Sequence, residues 1–273
     1  MRRSVVVIAF VLLAISSLAG ASHAITGGEV DGNGHPNVAM IVFYNAEGRF
    51  RCSATLVSPT VLVTAAHCTD GVLGKVIATF EPVAPDSPDA ADPAKGYTAP
   101  VADWLTGTPH THPLWLGFAL NDLHDVGVVV LDEPYNGSAP AQLAPLNYLA
   151  RLANGNGGFN KQTFTVVGYG IFFEKSEDGP QKPTAVSDRA RRFVDAVGQN
   201  ISSQALKLAE NANDSRAGGG SCRGDSGGPV FHDGLVVGDS SYGPSQFCKG
   251  SEAYYRLDTE DARSFLDHYV AVP

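Results

Sequence analysis

Basic residues are in short supply. Nineteen lysines and arginines face 28 aspartates and glutamates in 273 residues, a formal charge of −9. Loss of residues 1–24 would remove two arginines and no acid, leaving −11. A chain this acidic is ill matched to nucleic acid or to an anionic membrane, and neither is expected as a partner. Long apolar runs are missing too: beyond the first two dozen residues none approaches the roughly 20 needed to cross a bilayer. There are only four cysteines and no Cys-x-x-Cys pair, so no metal site is expected, and no cofactor either. Internal repeats and low-complexity tails are absent as well.

What is present begins with MRRSVVVIAFVLLAISSLAGASHA, in which Arg2 and Arg3 precede an apolar run from Val5 to Ile15 and then small residues. This is the pattern of a secretory signal peptide over residues 1–24, with cleavage after Ala24, or after Ala21 followed by trimming of three residues. A secreted protein keeps its cysteines oxidised, so two disulfides are expected among Cys52, Cys68, Cys222 and Cys248. Three pairings are possible, and the spacing sets Cys52 near Cys68 and Cys222 near Cys248. Asn136, Asn200 and Asn213 open glycosylation sequons, expected on surface loops.

Short β-rich runs dominate the rest: Val38–Tyr44, Ser53–Val57, Val61–Thr64, Val126–Leu131, Phe164–Val167 and Leu235–Val237. Each is bounded by Gly, Pro, Asn or Asp, which predicts an all-β sandwich or barrel. One helix is predicted over Asp258–Val270, where Ala262, Phe265, Leu266 and Tyr269 share a face. Glu81–Pro113, with seven prolines, and Glu174–Ser187 read as loops that hold no central strand. A linker between two halves is expected near Asn136–Pro145.

The octet CRGDSGGP, Cys222–Pro229, admits three readings. Arg223-Gly224-Asp225 is an adhesion tripeptide, and Gly224-x-Ser226-x-Gly228 fits the nucleophile elbow of an α/β-hydrolase. In the third reading Ser226 is an acyl-transfer nucleophile served by groups far upstream. A serine hydroxyl needs a base, and the base an orienting acid. His67, in TAAHC, follows a strand-like run and directly precedes Cys68, so it is anchored. Asp125 heads the apolar run of NDLHDVGVVVL and is the acid carried inward, whereas Asp122 and Asp132 flank that run. The order His67, Asp125, Ser226, with only 47 residues after the serine, disfavours the elbow, which needs serine, then acid, then histidine.

These residues sit in segments that together resemble the chymotrypsin/trypsin-type serine peptidases: ITGG at Ile25, TAAHC at Thr64, HPLW followed by HDVGVVVL, GYG at Gly168, GDSGGP at Gly224 and SYG at Ser241. They run in the family's order from Ile25 to the C-terminal helix. The resemblance implies two six-stranded antiparallel Greek-key barrels with a C-terminal α-helix. Residues 25–138 would form the first, with His67 and Asp125, and 139–273 the second, with Ser226. It also implies a secreted, monomeric endopeptidase acting on polypeptides and met by protein inhibitors.

The same resemblance makes His67 the general base, Asp125 its orienting acid and Ser226 the nucleophile, with the N–H groups of Gly224 and Ser226 as the oxyanion hole. Ser241, Tyr242 and Gly243 would offer an edge strand to the substrate. Asp225 would pair with the α-amine of Ile25 once the leader is cut. Where trypsin-like enzymes carry an aspartate six residues before the serine, this chain has Gly220, and Glu252 is expected on the rear pocket wall, favouring basic or large side chains. A non-catalytic binding protein on the same fold is the second reading.

Overall fold

A computed structural model of the chain describes residues 25, 28–118, 123–155, 157–174, 184–210, 219–243, 248 and 250–273. Six strands close the first barrel: β1 (Val38–Asn45), β2 (Gly48–Ser58), β3 (Val61–Thr64), β4 (Leu73–Thr79), β5 (Leu105–Thr111) and β6 (Gly127–Leu131). Six more close the second: β7 (Thr163–Gly168), β8 (Arg192–Ile201), β9 (Ala205–Glu210), β10 (Pro229–His232), β11 (Leu235–Tyr242) and β12 (Gly250–Arg256). Around the first barrel the order is β1-β2-β3-β6-β5-β4, and around the second β7-β8-β9-β12-β11-β10, all antiparallel. The two halves therefore share one topology that no sequence repeat announces.

The alternation along β1 shows how the barrels pack. Ala39, Ile41 and Phe43 point into the first barrel with Leu56, Leu62 and Val129, while Val38, Met40 and Val42 face the second, against Val167, Tyr169 and Phe231. Successive side chains of a strand point to opposite faces, so a run apolar at every position fits a strand covered on both sides. Each fully buried leucine or isoleucine here contributes about 1.5–3 kcal/mol relative to exposure. The interior of the second barrel gathers Phe164, Val166, Leu206, Leu208 and Tyr254 around Ile25, which is fully buried.

Predicted and observed elements differ in instructive places. The proline-rich stretch contains a barrel strand, β5, that includes Pro109. It is tolerated because β5 pairs with β4 only over residues 105–107 and with β6 over 107–111. At Pro109 one neighbour is absent, so the missing N–H costs no ladder bond. The C-terminal helix, α2, is shorter than predicted, Glu260–Leu266. Thr259 caps it by accepting from Ala262 N–H, and Asp258 is withdrawn into the core, where it accepts from Leu149 N–H at 2.8 Å and from Arg256. A short helix, α1 (Tyr148–Ala153), follows a two-residue strand, Gln142–Leu143, inside the expected linker. The sequon asparagine Asn200 lies on β8 and not in a loop, Asn136 is exposed, and Asn213 lies outside the described residues.

Candidate active site

His67 sits in a single 3₁₀ turn, Ala66–Cys68, directly after β3. Cys68 is buried and bonded to Cys52 on β2, and Cys222 is bonded to Cys248, so both near pairs form. Asp125 is fully buried. It faces His67 with Nδ1 3.0 Å from Oδ2 and 3.1 Å from Oδ1, and its Oδ1 also accepts from the His67 backbone N–H at 3.0 Å. Ser241, read from sequence only as a substrate-binding edge, donates its hydroxyl to Asp125 Oδ2 at 2.5 Å. His124, with φ of 45°, makes the turn before Asp125; a left-handed residue of this kind is uncommon outside glycine. Asp132, one of the flanking alternatives, instead holds Lys75 and the Thr106 hydroxyl, and Asp122 lies outside the described residues.

The Ser226 loop is tied to both barrels. Ser226 carbonyl accepts from Ser53 N–H at 2.8 Å and Gly227 N–H donates to Ser240 carbonyl at 2.7 Å. A Cβ on Gly227 would strike Thr64 and Ala65, the residues that lead into the His67 turn. The serine thus lies between the end of β3 and the Ser240–Ser241 stretch of β11, the same two elements that hold His67 and Asp125. Gly224 takes φ of +98°, closed to other residues without strain. Among the described residues no group takes the N–H of Gly224 or of Ser226. Two unpaired donors beside a nucleophile can receive a developing oxyanion.

Beside Ser226 opens a cavity of about 220 Å³ lined by Ser221, Ser226, Ser241, Tyr242, Gly243 and Glu252. Glu252 is on β12 and buried, and its carboxyl reaches across to the backbone of Gly243, where a Cβ would collide with it. Burial, then the charge of Asp225, pushes Glu252 up to about 7. Gly220 does not line this cavity. A Cβ there would strike the carboxyl of Glu210, an acid that sequence reasoning missed. Glu210 accepts from the Tyr254 hydroxyl and from Ser221 N–H (3.1 Å), and burial holds it well above the ordinary carboxyl range. Alternation along ALKLAE was the available signal, since Leu206, Leu208 and Glu210 share a face.

Two further acids are buried nearby. Asp225 accepts from Gly170 N–H (2.7 Å) and Cys222 N–H (2.8 Å), yet burial still raises it to about 7. Asp239 on β11 has neither oxygen hydrogen-bonded, and burial together with the Asp125 charge raises it well above its usual range. An aromatic wall flanks the histidine: the Phe118 ring lies 5.2 Å from that of His67, and Trp115 6.3 Å. His112, His124 and Asp261 bring metal-type donor atoms within 4.8 Å of one another. The Asp261 carboxylate is already engaged there, by His124 Nδ1 at 2.8 Å and the Tyr255 hydroxyl at 2.5 Å.

The sequence profile of the family described as Trypsin matches residues 25–259. The chain belongs to the trypsin family. Brachyurin of Leptuca pugilator is 27% identical over 243 residues, covering 85% of this chain and 93% of that one. Trypsin of Saccharopolyspora erythraea is 26% identical over 237 residues, covering 85% and 92%. Among solved structures an HL collagenase superposes with a TM-score of 0.60 at 16% identity, over 86% of this chain and 91% of the other; at that identity the likeness speaks for the fold alone. Family and relatives make this protein a serine endopeptidase, a hydrolase of the trypsin-like class, and proteases of that class act on polypeptides.

Proposed function

We propose that this trypsin-family chain is an exported, monomeric endopeptidase whose acyl-enzyme forms on Ser226. The observation that carries the reading is the bond from His67 Nδ1 to the buried, Ser241-supported carboxylate of Asp125, beside the Ser226 loop. Held in this way, His67 presents Nε2 to the serine. Ser226 Oγ attacks the scissile carbonyl carbon while its proton passes to His67 Nε2, and the carbonyl oxygen, now anionic, is received by the N–H groups of Gly224 and Ser226. Collapse breaks the C–N bond, and the leaving amine takes the proton from Nε2. Water then repeats the sequence against the acyl group, releasing the acid and restoring Ser226. Asp125 keeps the imidazole in one tautomer throughout and stabilises its protonated form.

The side chain preceding the scissile bond enters the 220 Å³ cavity, with the substrate strand laid along Ser241–Gly243 in β-addition. Glu252 on its wall favours lysine or arginine. Because Glu252 is raised to about 7, its carboxyl is neutral below that pH and anionic above it, on a cavity whose lining also includes Arg223. The preference for lysine over leucine should therefore climb between pH 6 and 8, and measured kcat/KM ratios check this.

Activation follows from a second of the raised acids, Asp225. Once a cut exposes the α-amine of Ile25, that amine pairs with Asp225 and orders the oxyanion loop. As reference α-amines titrate near pH ~8, activity should fall at alkaline pH. Cleavage after Ala24 would release an active enzyme directly, and cleavage after Ala21 would leave three residues to trim. Protein inhibitors that fill the same cleft are the expected partners.

The test is a chromogenic peptide panel with Lys, Arg, Phe, Leu or Ala before the scissile bond, comparing the processed protein with Ser226→Ala. Turnover in the first and none in the second supports the peptidase. No turnover by protein whose first residue is confirmed as Ile25 would turn the reading to a non-catalytic binding protein.

A further inference from the structure

The cavity beside Ser226 accounts for one side of a bound peptide. On the other side of the serine, away from Ser241–Gly243, the face of β2 that meets the second barrel carries Arg49, Arg51 and Ser53 in alternation. Ser53 is bonded to the nucleophile loop itself: its N–H donates to Ser226 carbonyl and its hydroxyl to Gly224 carbonyl at 2.9 Å. One step outward on the same face, Arg51 Nε lies 3.1 Å from the point that a Cβ on Gly224 would occupy. The guanidinium therefore stands next to the oxyanion loop. Beyond it opens a second depression of about 220 Å³, with Met40, Val42 and Phe50 as its apolar lining and Arg49, Arg51 and Arg189 as its charged one.

Three arginines on one depression are conspicuous in a chain with a net charge of −9. Two of them are already engaged. Arg49 donates to Asp89 at 2.7 Å and to the Ser87 carbonyl, and Arg189 to Asp86 and to the Ala84 carbonyl at 3.1 Å. Arg51 makes no hydrogen bond or ion pair among the described residues. It is half-buried, and the nearest opposite charges, Asp225 and Asp188, act on it only at a distance, while Arg189 opposes it. An unpaired guanidinium with planar, forked donors is suited to receive a carboxylate.

We infer that Arg51, at the inner end of this depression, binds an acidic side chain at the first or second residue after the scissile bond, on the departing half of the substrate. The inference rests on the peptidase reading, since it takes Ser226 as the point where the chain is cut. A peptide entering over Ser241–Gly243 and crossing Ser226 leaves past Gly224 and the Cys52–Cys68 disulfide, and so passes Arg51. The apolar lining accepts the methylene stem of glutamate, and the guanidinium its carboxylate. Selection on this side belongs to substrates with an acidic residue just after the cut.

Internally quenched peptides test this. One residue is kept before the scissile bond, and Glu, Asp, Ala or Lys is placed at each of the two following positions. The quantity read is the ratio of kcat/KM for the acidic peptide to that for the alanine peptide, within each protein. Any general loss of activity in a variant cancels in that ratio. For the wild type the ratio should be roughly fivefold or more at low salt and shrink with added salt, as a partly exposed ion pair does. Arg51→Gln should bring it to about one, while Arg51→Lys keeps part of it. A wild type indifferent to acid at both positions, or a ratio unmoved in Arg51→Gln, would overturn the assignment with the peptidase reading intact. Absence of hydrolysis for every peptide would overturn both.

Discussion

The two barrels share one strand order and differ in how they treat the acids buried around the cleft. The first encloses an apolar interior and contributes a single buried acid to the cleft, Asp125, whose carboxylate is met by the His67 ring, the His67 N–H and the Ser241 hydroxyl. The second buries Glu210, Asp225, Asp239 and Glu252, and burial raises all four. A carboxylate buried away from any cation is costly even where N–H or O–H groups donate to it, as at Asp225 and Glu210, and it relieves that cost by taking a proton. In the proposed reading the first barrel supplies the base in finished form, and the second supplies two acids that become ions when a cation arrives, Asp225 with the amine of Ile25 and Glu252 with the side chain of a substrate.

Removing the finished part should have the largest effect. Asp125→Asn keeps the shape but loses the charge and the tautomer control, so kcat should drop on the order of 10⁴-fold; a drop below tenfold would mean that His67 is oriented by something else. Next comes the seam between the barrels. Arg191, fully buried, donates to Asp31 at 2.8 Å, to the carbonyls of Gly32, Val38 and Phe80 and to the Tyr169 hydroxyl. Arg191→Met leaves the buried Asp31 with His35 as its remaining side-chain partner and strands the acceptors that Arg191 served, and should cost about 3 kcal/mol in urea unfolding.

The contrast predicts the opposite sign for the second barrel. Asp239→Asn or Asp239→Val removes a carboxyl with no partner, and either should be neutral or raise stability by about 1–3 kcal/mol. A comparable loss would reveal an unrecognised role for that side chain. Broadest is the pH dependence. Acids with folded-state values raised from about 4 to about 7, as for Asp225 and Glu252, bind more protons when folded than when unfolded. Stability should then fall as pH rises from 4 to 7 and level off above. In the unprocessed chain, Asp225→Asn and Glu252→Gln should each flatten that slope.

Much of the reactive half was legible in the sequence because it lies in contiguous, patterned segments. TAAHC, HDVGVVVL and GDSGGP each state a strand end or a loop together with its candidate catalytic residue, and Val61–Thr64 forms a strand over the residues expected. What escaped depends on register between distant strands. Glu210 is tucked under Gly220 because β9 pairs with β12, aligning Leu208 with Glu252. Ser241 reaches Asp125 across 116 positions of chain. Arg51 gains its place beside Gly224 only when β2 packs on the nucleophile loop. The Pro109 strand was missed for a related reason, since a proline is excluded from a strand only where both neighbours are present. Asp258 left the helix because its carboxylate is taken by Leu149 and Arg256.

The claim that the second barrel waits for a cation is tested most directly at its own N-terminus. Protein beginning at Ile25 is compared with protein that keeps Ala24 in front of it, by kcat/KM on one peptide substrate near pH 7. The account predicts that the form with Ile25 first is faster by at least ~100-fold, the scale of one lost oxyanion-hole donor, and that Asp225→Asn reduces it toward the extended form. Equal rates for the two forms would contradict it.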